Sequence, residues 1–252
     1  MAKKFAFKTI NNLLINKNYY QIFHERNLLS FDTLWNLPDP YFFRKKRYRI
    51  VSAYQIDGFN IFIKKYLAHP EEAKKEWENI LLLWEKGVPT SIPVFFALSE
   101  DKRAMIGTEE IKGKRVIDII QDDPSKVSFF ISKIAEFLAK FHKAKLFHQD
   151  CYLNHFYYDK KEDKIIIIDV SRIKHKPVLE FYYQIKDLAQ LKFSFSVYLE
   201  NKAEKFWDIF MKRYFKINEP KYNKKLFFKI LNLKTYMIKR HTERVVARGE
   251  EI

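Results

Sequence analysis

The apolar residues of this 252-residue chain change their spacing partway along it, and that switch limits the folds open to it. Tyr48, Ile50, Ser52, Tyr54 and Ile56 alternate, Asp57-Gly58 follows, and Phe59, Ile61 and Ile63 alternate again, which is the pattern of strand, tight turn and strand. From Glu71 onward the spacing is helical, through Trp77, Ile80, Leu81 and Trp84 to a stop at Gly87. Ile92–Leu98 and Arg103–Glu110 predict two further strands, with Ile111-Lys112-Gly113-Lys114 as a connector. Beyond it Val127, Phe130, Ile131, Ile134, Leu138 and Phe141 form one stripe of a helix reaching about Lys145. Short strands at 156–158 and 165–168 precede helices near 180–198, 202–215 and 223–240. Strands gathered in one half and helices in the other are an α+β pattern, with a division at 1–112 and 113–252. Residues 1–40 carry mixed helical patterning and read as an N-terminal extension; Lys239-Arg240-His241 and 244–252 read as a solvated tail.

A hydrophobic content of 47%, with aromatic residues making up 17% of the chain and only 5 glycines, argues for a packed core and against disorder. The lone Cys151 excludes an intrachain disulfide. With no apolar run of signal-peptide or membrane-spanning length, a soluble cytoplasmic protein is expected. The net charge of +16 attracts polyanions, whether nucleic acid, an anionic membrane surface or a phosphorylated glycolipid, and does not choose among them.

Two aspartates stand where chemistry could be done. Asp150 follows the long helix, and Asp169 ends the run Ile165-Ile166-Ile167-Ile168. A single aspartate at such a boundary usually caps a turn. A carboxylate at a buried strand end nevertheless asks for a cation, either a metal or a lysine. Ile61-Phe62-Ile63-Lys64-Lys65 offers two lysines on opposite faces of one strand, so one of them should point inward. Glu76, on the following helix, can supply the opposite charge. His142 reads as a satisfied core histidine.

Together these elements resemble the protein-kinase-like superfamily, in which a strand lysine pairs with a helix glutamate and a catalytic-loop aspartate precedes a metal-binding one. The resemblance covers about residues 45–200 and implies a two-lobed kinase fold. More narrowly, His148-Gln149-Asp150-Cys151-Tyr152-Leu153-Asn154-His155-Phe156, Ile168-Asp169-Val170-Ser171-Arg172 and the segment Lys186 to Ser194 resemble the lipopolysaccharide core kinases, which phosphorylate heptose or Kdo sugars. That resemblance implies ATP and Mg²⁺ as cofactors. It makes Asp150 the base that orients the acceptor hydroxyl, Asp169 the main metal ligand, and Lys64, fixed by Glu76, the contact to ATP phosphates. His155 stands where kinases usually place an asparagine and would be a second metal or phosphate contact, with Asn154 as the fallback. The helix after Lys64 also resembles that of the small Bud32-type kinases.

Departures from the pattern shape the expectation. No Gly-x-Gly-x-x-Gly occupies the first hairpin, so phosphate cover would fall to another backbone arrangement or to Arg47, Tyr48 and Arg49. Gln149 replaces the arginine that often reads a phosphorylated activation loop. Asp187 follows Asp169 by only 18 positions, which favours a small or glycolipid acceptor over a protein. Arg47 and Arg49, in the basic run 44–49, are expected to meet an anionic substrate, with peripheral association at the inner face of the membrane. An atypical Ser/Thr kinase whose basic surface meets nucleic acid, and a pseudokinase acting as a binding module, are the alternatives.

Overall fold

A computed structural model describes residues 4–46, 48–219 and 223–248. The chain divides into two units, one of residues 1–112 with 166–171, the other of 113–165 with 172–252.

The first unit contains β1 (Phe7–Ile10), β2 (Leu13–Asn16), α1 (Lys17–Glu25), α2 (Phe31–Trp35), β3 (Phe42–Lys46), β4 (Arg49–Ile56), β5 (Phe59–Tyr66), α3 (Pro70–Glu85), β6 (Pro93–Leu98) and β7 (Ala104–Glu109). Its seven strands form one antiparallel sheet in the order β1-β2-β6-β7-β5-β4-β3. The expected hairpin is there: Ile56 pairs with Phe59, and Asp57 and Gly58 both take positive φ (45° and 79°), the geometry of a turn whose twist matches the strands. Pro70 opens α3, and Gly87, at φ 71°, closes it.

The N-terminal segment is more than the helical extension its pattern suggested. β2 pairs with β6, Leu13 opposite Ala97 and Ile15 opposite Phe95, and Leu13, Ile15, Tyr19 and Phe23 enter the same core as Ile61, Ile63, Phe95 and Met105. Strands of four residues are too short for alternation to stand out beside the adjoining helix. β3 escaped notice because it is an exposed, basic edge strand, the usual protection of a sheet edge. Gly107 is required by packing: a Cβ there would lie 2.2 Å from the ring of Phe95.

The second unit holds β8 (Lys114–Arg115), α4 (Val116–Asp122), α5 (Val127–Lys143), β9 (Leu146–Phe147), β10 (Phe156–Asp159), the start of β11 (Lys164–Ile167), β12 (Lys174–His175), α6 (Glu180–Tyr198), α7 (Ala203–Ile217) and α8 (Lys224–Ala247). α5 packs on α7, and α6 on α8. α4, at seven residues, was too short to register as a period. α8 continues to Ala247, so Lys239-Arg240-His241 belong to an exposed helix and not to a frayed tail; residues 249–252 lie outside the described residues.

Candidate active site

Alternation along β5 settles which lysine serves the first unit. Ile61, Ile63 and Lys65 face the core, where the Lys65 amine donates to the Trp35 carbonyl at 2.5 Å and burial lowers its pKa. Phe62, Lys64 and Tyr66 take the opposite face. There the Lys64 amine lies 2.6 Å from Glu76 Oε1 and 3.6 Å from Asp169 Oδ1, and the Tyr66 hydroxyl donates to the other Glu76 oxygen. Burial works against the charged amine, but Glu76 and Asp169 outweigh it and hold Lys64 above its ordinary pKa. Arg49, paired with Tyr66 across β4 and β5, joins this group: burial lowers its pKa, and Asp169, Tyr66, Glu76 and Glu72 more than restore it.

Helix α3 positions both acids. Glu76 and Asn79, three residues apart, share a face, and Asn79 Nδ2 donates to the carbonyls of Val170 (2.8 Å) and Ser171 (3.2 Å). Just beyond the helix, Thr90 Oγ1 donates to the Ile167 carbonyl (2.7 Å), and Ile167 N–H to that of Pro89 (3.2 Å). The segment is thus braced on either side of Asp169, which itself takes the left-handed φ of 55° that aspartate tolerates better than most residues.

In the second unit, Asp150 lies on a loop held from behind by α6. Asp187, fully buried, accepts the N–H of His148 (2.6 Å) and of Gln149 (2.7 Å), together with Gln149 Nε2 (3.0 Å). One turn on, Gln190 Oε1 accepts Cys151 N–H, and one turn further Ser194 Oγ accepts Leu153 N–H, both at 3.1 Å. This ladder holds Gln149 at φ 66°, a conformation costing a non-glycine residue about 1 kcal/mol. His142 is a satisfied core residue: Nε2 faces Asp187 at 3.1 Å and Nδ1 faces the Tyr214 hydroxyl at 2.6 Å. Gln184 and Asn218 both donate to that hydroxyl, so its own proton is directed to Nδ1, leaving Nε2 to donate to Asp187.

His155 Nδ1 lies 2.7 Å from the Asp150 carbonyl. A carbonyl can only accept, so Nδ1 donates this bond, and Nε2 is the ring nitrogen left to meet a ligand. The Asp150 carboxylate is partly exposed, and Arg172 Nη1 approaches it at 3.8 Å.

Of the residues singled out in the sequence, Lys64, Glu76, Asp169 and Arg49 thus come together in the first unit, and Asp150 and His155 in the second. Arg47 lies outside the described residues. Tyr66, Asn79 and Asp187 were missed as working parts. A signal existed for the last: Asp187, Gln190 and Ser194 are polar residues at helical spacing, interleaved with the apolar Leu188, Ala189, Leu191 and Phe195.

Residues 57–214 match the model of the Lipopolysaccharide kinase (Kdo/WaaP) family. Among curated proteins, the lipopolysaccharide core heptose(I) kinase WaaP of Pseudomonas aeruginosa is 26% identical over 205 residues, which span 65% of this chain and 76% of that protein. A solved structure titled WaaP in complex with acyl carrier protein aligns with a TM-score of 0.63 at 22% identity, over 92% of this chain and 98% of that one. That likeness shows a shared, kinase-like fold.

Proposed function

The chain belongs to the lipopolysaccharide kinase (Kdo/WaaP) family, a family of phosphotransferases, and from that premise we propose how its own residues transfer phosphate from ATP to a sugar of the lipopolysaccharide inner core. The observation that carries the assignment is the Lys64 amine set between Glu76 and Asp169. Phosphoryl transfer asks little covalent help of a protein and depends on charge neutralisation and alignment. Lys64, kept charged by Glu76, is suited to the ATP phosphates. Arg49 shares its acidic neighbours and is better placed for the same phosphates than for the acceptor. Asp150 is the base that takes the proton of the acceptor hydroxyl.

Asp169 suits Mg²⁺, a hard cation that takes carboxylate oxygen, whereas His155 offers a nitrogen and Asn154 an amide oxygen. When bound, a Mg²⁺ held by Asp169 would supply positive charge to offset the charge that develops on the transferred group. With Nδ1 taken up by the Asp150 carbonyl, Nε2 is the atom through which His155 would meet a metal or a phosphate. The P. aeruginosa relative's name makes a heptose the first acceptor to try.

No helix among the described residues is long and apolar enough to cross a membrane. The charge of +16 favours peripheral attraction to an anionic lipid surface, where such an acceptor would be met.

Labelled ATP, Mg²⁺ and de-acylated lipopolysaccharide core test the reading against a generic protein acceptor. Transfer to the core alone is expected. Asp150→Ala should lose about 10²–10⁴-fold in rate while ATP still raises its melting temperature. Transfer by that variant at the wild-type rate would refute the assignment of the base.

A further inference from the structure

The second unit gathers unpaired positive charge beside Asp150. Arg172 is exposed, and among the described residues its only ion pair is the loose 3.8 Å approach to that carboxylate, which leaves most of its five N–H donors unused. Lys186 sits on α6, next to the Asp187 that fastens the loop carrying Asp150; it is half-buried and forms no ion pair among the described residues. One turn back on the same face is Tyr182, and the Lys234 amine of α8 lies 5.4 Å from the centre of its ring. Burial, and then repulsion from Arg172, lowers the pKa of Lys186, with Lys234 adding to the repulsion and Asp187 and Asp150 opposing it. Lys186 thus lies within electrostatic reach of both Arg172 and Lys234, an arrangement whose cost an anion would relieve.

We propose that Arg172 and Lys186, with Lys234 beyond them, form an acceptor subsite that binds a negatively charged substituent, a phosphate or a carboxylate, of the sugar whose hydroxyl is presented to Asp150. This rests on the reading of Asp150 as the base. An arginine fork and a lysine amine are the pair of donors that suit such oxyanions. The subsite orients the acceptor through a group that does not react. Its effect should therefore fall on acceptor affinity.

Two measurements on the full-length protein test it. In the transfer assay, de-acylated core is used intact, enzymatically dephosphorylated, or carboxyl-reduced; the form with the higher KM identifies which substituent is held. Lys186→Ala should raise the KM for the intact acceptor by about tenfold, the loss of one charge-assisted contact, with kcat changed far less and with Lys186→Arg restoring most of the affinity. An unchanged KM, or a fall in kcat alone, overturns the proposal. Independently of turnover, acylation of lysine amines is followed by mass spectrometry with and without inorganic phosphate or the intact core. Lys186 should be protected and the exposed Lys205 should not. Absence of protection by either probe overturns the subsite even if transfer occurs. Protection without any transfer retains the anion site and refutes the kinase assignment of Asp150.

Discussion

Glu76 receives two donors, the Lys64 amine and the Tyr66 hydroxyl, and its burial makes both matter. Burial, followed by the charge of Glu76, pushes the Tyr66 hydroxyl well above its ordinary 10.0. Lys64 is likewise raised, since Glu76 and Asp169 outweigh its burial. When the chain unfolds, both groups titrate near about 10, so above that pH the folded state binds more protons than the unfolded one. Their stabilisation is complete below about pH 10 and is lost as the pH rises further. Urea titrations should therefore show an unfolding free energy that falls above about pH 10, with a shallower fall in Tyr66→Phe. The same variant should lose about 1–2 kcal/mol at neutral pH, because Glu76 keeps a buried oxygen without its donor. A wild-type slope in the variant would reject this role for Tyr66. At this scale Glu76, Asp169 and the pair Lys64 and Lys65 could be named from residue type and position, but the choice between the two lysines could not, and Tyr66 reads as one more strand aromatic until Glu76 is seen against it.

Among the elements, α6 does for the loop of Asp150 what α3 does for the segment of Asp169. Asp187, Gln190 and Ser194 accept four backbone N–H groups, those of His148, Gln149, Cys151 and Leu153, and they can do so because successive turns of one helix rise in step with the loop. Asp187→Asn places an amide where one buried carboxylate serves two N–H groups, Gln149 Nε2 and His142. A loss of about 3–5 kcal/mol is expected, read as a lowered denaturant midpoint. Turnover should fall with it while ATP still raises the melting temperature, since Lys64, Glu76 and Asp169 belong to the other unit. A variant with wild-type turnover would show that the loop keeps its geometry without this anchor. The segment from Lys186 to Ser194 was visible as a resemblance, but its polar spacing acquires a reason only from the loop it faces.

Over the whole molecule, a charge of +16 should steer an anionic acceptor, and such steering is screened within a Debye length. The KM for intact lipopolysaccharide core should rise several-fold between about 50 and 200 mM salt, with a weaker rise for the dephosphorylated core. Equal salt responses would mean that the charge does not act on the acceptor's phosphates. Local pattern alone carried the Asp57-Gly58 hairpin, α3 with its Gly87 stop, the long α5, Asp150 beyond it and Asp169 after its run of isoleucines. These follow from backbone sterics and from apolar periods that repeat within a few turns. Tertiary structure decided which lysine meets Glu76, how Leu13 and Ile15 join a sheet whose other strands lie far along the chain, and why Gln149 holds a left-handed turn. Each of these depends on partners many residues away, Trp35 for Lys65, Phe95 for Ile15 and Asp187 for Gln149, and burial that distant segments create leaves no period behind in the sequence.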